Sequence, residues 1–289
     1  MTDYHMIEDA LRYQTQGDDW VKRVALGGVV LFFGFFIVPL FTFQGYMLEV
    51  MRRVLRGETD RPPAWDELGL VDITVDGVRH TVVVLGYGLL LTLVLAIPGA
   101  MIIGGGLAGS EGLLLSGVLV IALLYFVGVI AMTVILPVAT GSFLRADSIA
   151  AGFDRDVLTS VGTNRTMLMA VVMAFAVNII VSIGSSILGI TIIGYLAVPS
   201  LAFVGQSAIM YVWGRGFADA YEEEYGEPPL ATVTDGTHTG PATTGTASGV
   251  DDQTGDSDAG DAGWSDDTDG DGFGTSAWDD AGDGDSGRR

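Results

Sequence analysis

The chain has 289 residues, with 35 acidic side chains against 14 Lys and Arg and a formal charge of -21, yet 49% of it is hydrophobic. One soluble domain rarely holds both properties, and here they are separate: long uncharged runs fill residues 24–214, and Asp, Gly, Thr and Ser dominate from Ala231 onward. This excludes a simple globular domain, a nucleic-acid binder and a disulfide-stapled secreted domain, and the lack of cysteine removes thiolate chemistry.

Residues 1–23 predict an amphipathic segment, with Tyr4, Ile7 and Leu11 on one helical face and Trp20 as an interface anchor. They do not resemble a cleavable leader, so the first apolar run reads as an uncleaved anchor. A membrane-crossing helix needs about 20 apolar residues. Four uncharged runs exceed that: Val24–Leu48, Thr81–Ser110, Gly112–Leu144 and Thr166–Gly214. The last, 49 residues long, has room for two passes with a turn near Gly189–Gly194. The fold class expected is an all-α integral membrane protein. It has about five transmembrane helices (24–45, 81–103, 113–140, 167–189 and 194–214), interfacial amphipathic segments and a disordered acidic C-terminal tail.

Basic residues near the span ends set orientation. Five spans place Arg12, Lys22 and Arg23 on one side and nine arginines on the other, which predicts the N-terminus outside and the C-terminus in the cytoplasm. If instead the first run, broken by Pro39, dips in and returns, every basic segment lies inside. Of the 14 basic residues only Lys22 is lysine and the other 13 are arginine, and this with the acidic excess suggests a cell adapted to high salt.

A span-exit pattern recurs. Val38-Pro39, Phe43 and Gly45 match Val198-Pro199, Phe203 and Gly205, and Arg56-Gly57 and Arg215-Gly216 follow. Leu136-Pro137, Gly141 and Arg145 form a looser copy. Pro39, Pro137 and Pro199 are therefore expected as span kinks. Leu68, Val71, Val75 and Val78, and Ile149, Phe153, Val157 and Val161, fall at helical spacing. They suit either an interfacial position or connectors packed under the bundle.

Gly17-Asp18-Asp19-Trp20, Val38-Pro39, Gly45-Tyr46, Val54-Leu55-Arg56-Gly57-Glu58 and Trp65-Asp66-Glu67-Leu68 together resemble a multi-pass membrane family common in haloarchaea, domain of unknown function 4013. The resemblance covers about residues 5–225. It implies a helical membrane bundle and brings no activity or catalytic residues.

The expected span cores hold no Asp, Glu, Lys, Arg or His; Gln44, Asn178 and Gln206 are the strongly polar residues at depth. They serve either helix packing through interhelical hydrogen bonds or a pore for a neutral solute. Ser182/Ser186 and Ser185/Gly189 have the spacing that lets helices approach, in this chain or in a homo-oligomer. Gly104–Gly109 satisfies G-x-G-x-x-G, but it joins two spans and reads as a flexible hairpin, not a cofactor loop. Asn164-Arg165-Thr166 is a sequon abutting a span, read as an ordinary connector. The three histidines lack metal-ligand spacing. No cofactor, metal or catalytic residue is expected, and the chain is read as non-enzymatic.

Residues 217–230 read as an acidic juxtamembrane segment. The tail, 231–289, has 14 Asp and two Arg and too few aliphatics to fold. Asp267–Gly272 matches half a calcium loop but lacks its closing Glu. Trp264, Phe273 and Trp278, set among Asp residues, are candidate docking points for a protein partner. The expected function is an envelope scaffold or interaction protein of the cell membrane, in contact with the bilayer and without nucleic acid. The alternative is a transporter or channel subunit for a neutral or small solute.

Overall fold

The first apolar run does not form one span. In the computed structural model, which describes residues 3–231, it breaks at Phe33–Phe36. Helix α2 (Trp20–Phe32) ends there and α3 (Ile37–Leu55) begins. Proline explains the break. A helix continuing through this segment would lose the bond from residue 39 and crowd the carbonyl four residues earlier. At the third residue of α3, Pro39 sits in the first turn, where amide groups have no intrahelical acceptor. Pro39 therefore opens a helix and does not kink a span. Phe32, Phe33, Phe35 and Phe36 cluster at the exposed tip between the two helices.

Among the described residues four helices are long and apolar enough to cross a membrane, where five spans were expected. They are α4 (Leu70–Ala108), α5 (Glu111–Ala146), α7 (Arg165–Leu188) and most of α8 (Ile192–Tyr225). α2, at 13 residues, reaches about 20 Å, short of the roughly 30 Å of hydrocarbon. Two short helices complete the described chain. They are α1 (Asp3–Tyr13) and α6 (Arg155–Thr163), the latter preceded by a single 3-10 turn at Ala150–Phe153.

The order of contacts gives the topology. Ser200, Phe203 and Gly214 of α8 meet Gly28, Gly27 and Val54 in turn, and Tyr46 packs on Phe203. α3 thus runs parallel to α8, and α2 runs against both. Gly105 approaches Leu114, Gly117 approaches Ile102, and Gly128 approaches Leu91, so α4 and α5 are antiparallel. Gly205 lies on Val181 and Gly216 on Ala170, which makes α7 and α8 antiparallel as well. The fold is three helical hairpins whose returning helices, α3, α5 and α8, carry the three repeated Val/Leu-Pro motifs. Pro137 and Pro199 stand inside α5 and α8, and Pro98, a proline the repeat does not include, stands inside α4.

Local chemistry fixes the turns. Gly109 and Gly226 end helices in the left-handed region, which glycine enters without steric cost. Ser110, Asp154, Asn164 and Thr191 cap α5, α6, α7 and α8 through their side chains. The Asn164 of the sequon is a capping residue, accepting from the Thr166 amide at 2.7 Å. The expected turn at Gly189–Gly194 is present, tightened to Gly189–Thr191. The glycine run Gly104–Ala108 is not a loop: it is the last turn of α4, and Gly105 lets that turn touch the Leu114 backbone.

α1 and α6 pack beneath the hairpins. Ala10 and Tyr13 of α1 are buried, with Tyr13 5.1 Å from the Tyr211 ring. Val157 and Val161 are buried and Phe153 stacks on Tyr87, so that segment is a packed connector. The stripe Val71, Val75, Val78 does the opposite and faces outward on α4. Residues 217–225 of the expected juxtamembrane segment are helical. They continue α8, and Phe217, Ala220 and Tyr221 belong to the core. Trp264, Phe273 and Trp278 lie outside the described residues.

Candidate functional site

Three polar groupings stand out, at different depths. The first ties the basic ends of the helices together. Arg52 reaches Glu49 and Asp76, each at 2.7 Å. Arg53 reaches Glu67 at 2.9 Å, and Arg61 takes the other oxygen of that carboxylate at 2.7 Å. Arg79 donates to the Asp147 carboxylate at 2.9 Å and to its carbonyl at 2.7 Å. Asp147 is the one non-glycine residue with positive φ among the described residues, and Arg79 grips it from both sides. The Arg53 and Arg61 guanidiniums hold the Glu67 carboxyl below its ordinary range. Burial pushes the Tyr13 hydroxyl upward, so it stays neutral. Glu49, Arg52, Arg56, Asp76, Arg145 and Asp147 line an open basin of about 440 Å³, in which the charges of the two signs balance.

Next to it, Trp65 stacks on Tyr46 with ring centroids 4.3 Å apart. Its indole donates to the Arg23 carbonyl at 3.1 Å, and Arg23 donates to the carbonyls of Gln14 and Gln16. Tyr46 donates to the Pro63 carbonyl at 2.8 Å. These residues clamp the entry of the α2–α3 hairpin.

The second grouping is the crossing of α3 and α4. Thr42-x-x-Gly45 on α3 faces Thr74-x-x-Gly77 on α4. The two threonine hydroxyls lie 2.7 Å apart. A Cβ on Gly45 would run into the Ile73 carbonyl, and one on Gly77 into the Phe41 carbonyl. The backbones therefore touch, as small residues allow in a membrane. One turn further, His80 is buried among α3, α4 and α5. Its Nε2 lies 2.9 Å from Thr140 Oγ1, and its Nδ1 lies 2.9 Å from the Gln44 amide nitrogen. The Thr140 hydroxyl donates to the Leu136 carbonyl, so it accepts from His80 Nε2–H. Nδ1 is then left to accept from Gln44. The imidazole is thus locked as one neutral tautomer.

His80 was legible only in part. It stands one residue before the expected span 81–103, but α4 is continuous from Leu70 and places it inside the bundle. The equal spacing of Thr42/Gly45 and Thr74/Gly77 was the signal for this interface.

The third grouping is a cleft of about 680 Å³ between α5 and the α7–α8 pair. Phe126, Ile130 and Thr133 form one wall, and Phe175, Asn178, Gln206 and Trp213 the other. Of the three amides expected in helix packing or a pore, the fold brings Asn178 and Gln206 to this cleft and Gln44 to His80. Among the described residues no group of His, Cys, Asp and Glu is arranged to hold a metal ion.

A family model described as a protein of unknown function (DUF4013) matches residues 32–190, more than half of the chain. The chain belongs to this family. The DUF4013 match runs from the tip of the α2–α3 hairpin through α7, so it contains the threonine–glycine crossing, His80 and the arginine network. It leaves out α8 and the Gly17–Trp20 motif. No curated protein matches the chain, and no solved structure matches it.

Proposed function

We propose that this DUF4013 protein is a non-enzymatic scaffold or interaction protein of the cell membrane, with both ends of the described chain in the cytoplasm. The observation that carries the reading is the division of the molecule into two unlike ends. At one end ion pairs and capped connectors join all three hairpins. At the other, the hairpin turns at Phe33–Phe36, Gly109–Ser110 and Gly189–Thr191 bear no basic residue. Every Lys and Arg from Arg12 to Arg215 lies toward the first end, which the preference of basic loops for the cytoplasm makes the inner one. A rigid inner platform on apolar arms suits holding a partner at the membrane. The acidic tail, which begins next to Leu230 beside the basin, is the segment available to that partner. The composition suits a cell of high internal salt.

The chain has no cysteine, so single cysteines report topology directly. Cysteines at Ser110 and Thr191 should react with an impermeant maleimide in intact cells, and one at Asp60 only after lysis. The reverse pattern would invert the orientation. For function, the intact chain and one truncated after Leu230 are used to capture partners from native membranes at the cell's own salt. A partner lost on truncation supports the scaffold. Saturable movement of a solute by the purified protein in liposomes would overturn it.

The cleft favours a second reading, a transporter or channel subunit. Its test is flux with Asn178 and Gln206 both replaced by Leu, since Gln44 is engaged elsewhere. Unchanged flux would remove this site.

A further inference from the structure

Three polar groups converge on the cleft between α5 and the α7–α8 pair without a bonding partner. Asn178 and Gln206 make no side-chain hydrogen bond among the described residues, and the Trp213 indole N–H is buried and unpaired. Counting from the arginines that begin α7 and follow Trp213, Asn178 lies about 20 Å along its helix and Gln206 about 14 Å along its own. Both therefore stand near mid-depth in the hydrocarbon, where water does not supply partners. Several other polar groups along the apolar helices are satisfied: His80 bonds Gln44 and Thr140, and the hydroxyls of Thr92, Thr133 and Ser186 bond their own helix carbonyls. At this cleft three unpaired groups lie side by side next to an apolar space.

We propose that this cleft binds a neutral, lipid-soluble carbonyl compound, an elongated hydrocarbon whose carbonyl oxygen lies at the level of Asn178 and Gln206. The chemistry of the lining selects it. No lining residue is charged, so an ionic ligand would enter without a counter-charge. Trp213 only donates, and each amide can donate as well as accept, so an acceptor is the one kind of partner that all three can bond. A plain acyl chain fills the apolar walls formed by Phe126, Ile130 and Phe175 but leaves all three donors unpaired. The backbone of a helix from a second copy does not supply the partner either, because its carbonyls already accept bonds within that helix. The inference does not depend on the scaffold reading, and it names the ligand class for the second reading.

The test uses the full chain in phosphatidylcholine nanodiscs, titrated with decyl-benzoquinone and, as the shape control, decylbenzene. Intrinsic tryptophan fluorescence reports occupancy beside Trp213. The expected result is saturable quenching by the quinone that decylbenzene at equal concentration does not relieve. Gln206→Leu and Asn178→Leu, which keep Trp213, should each weaken it about tenfold. Exposed residues facing an open cleft tolerate Leu, and circular dichroism confirms that the variants are folded. Quenching that does not saturate, or that is the same in wild type and both variants, overturns the proposal. So does relief by decylbenzene, which would make the cleft a site for any hydrocarbon. The oligomeric state is measured in the same discs. A dimer lost in Gln206→Leu would assign the amides to contact between copies and also overturn it. Failure here leaves the partner-capture test of the scaffold untouched.

Discussion

The α3–α4 crossing and the cleft between α5 and the α7–α8 pair are both places where helices of this bundle meet, and they are built on opposite plans. At the crossing, Gly45 and Gly77 bring backbone against backbone, paired threonines hydrogen-bond across it, and His80 with Gln44 and Thr140 closes the gap one turn away. At the cleft, Phe126, Phe175 and Ile130 hold the helices apart, and two amides and an indole are left unbonded. In hydrocarbon, burying apolar surface drives little association, because lipid is as apolar as leucine. Close packing and hydrogen bonds decide which helices stay together. The crossing has both; the cleft has neither.

The largest effect expected from that contrast is at the glycines. Gly45→Leu or Gly77→Leu forces a side chain into a carbonyl and should cost about 3 kcal/mol or more, seen as loss of the folded protein in detergent. Gly88→Leu and Gly99→Leu, on the same helix α4 but facing open space, should shift thermal unfolding by less than about 0.5 kcal/mol. Equal losses at all four would show that the crossing is not special.

The next effect separates two glutamines that look alike in sequence. Gln44→Leu or His80→Leu strands a buried partner and should cost about 2 kcal/mol. Gln206→Leu removes a group that has no partner and should be neutral or stabilising in the absence of ligand. Unfolding midpoints of the three variants, measured in one detergent, decide between these outcomes.

The smallest effect is at Glu67. Its carboxyl is held below its unfolded value of about 4.3 by Arg53 and Arg61. The stabilisation is therefore present above that value and fades as the pH falls through the lower, folded one. Glu67→Gln should cost less than about 1 kcal/mol, because solvent and salt screen a partly exposed pair, and should flatten the loss of stability below about pH 4. An unchanged acid limb would remove Glu67 as its cause.

Uncharged length alone located the four membrane helices, since a run of more than 20 apolar residues has few alternatives in water. The Gly189–Thr191 turn was likewise readable, from a 49-residue run that had to fold back. The extra span at 24–45 failed for a local reason: the apolar count is right, but Pro39 starts a helix more readily than it continues one. The alternative of a segment that dips in and returns fits the observed hairpin and places every basic segment at one end. The outward stripe Val71, Val75, Val78 shows the limit of periodicity. An apolar face turns inward in water, but in lipid it can face either way, and here the small and polar face with Thr74, Gly77 and His80 takes the protein side.

What the sequence by itself determined is therefore one-dimensional: which segments are apolar enough to cross a membrane, where the basic residues cluster, where the long last run turns, and that the chain resembles a family without a known activity. Only the tertiary structure decided which polar groups meet. Gln44 follows Pro39 by five residues and Gln206 follows Pro199 by seven, yet one completes a buried network and the other opens onto the cleft. The repeat puts α3 and α8 side by side. Which neighbour each then meets depends on contacts between helices far apart in the chain, where a single Cβ at Gly45 or Gly77 separates touching from not touching.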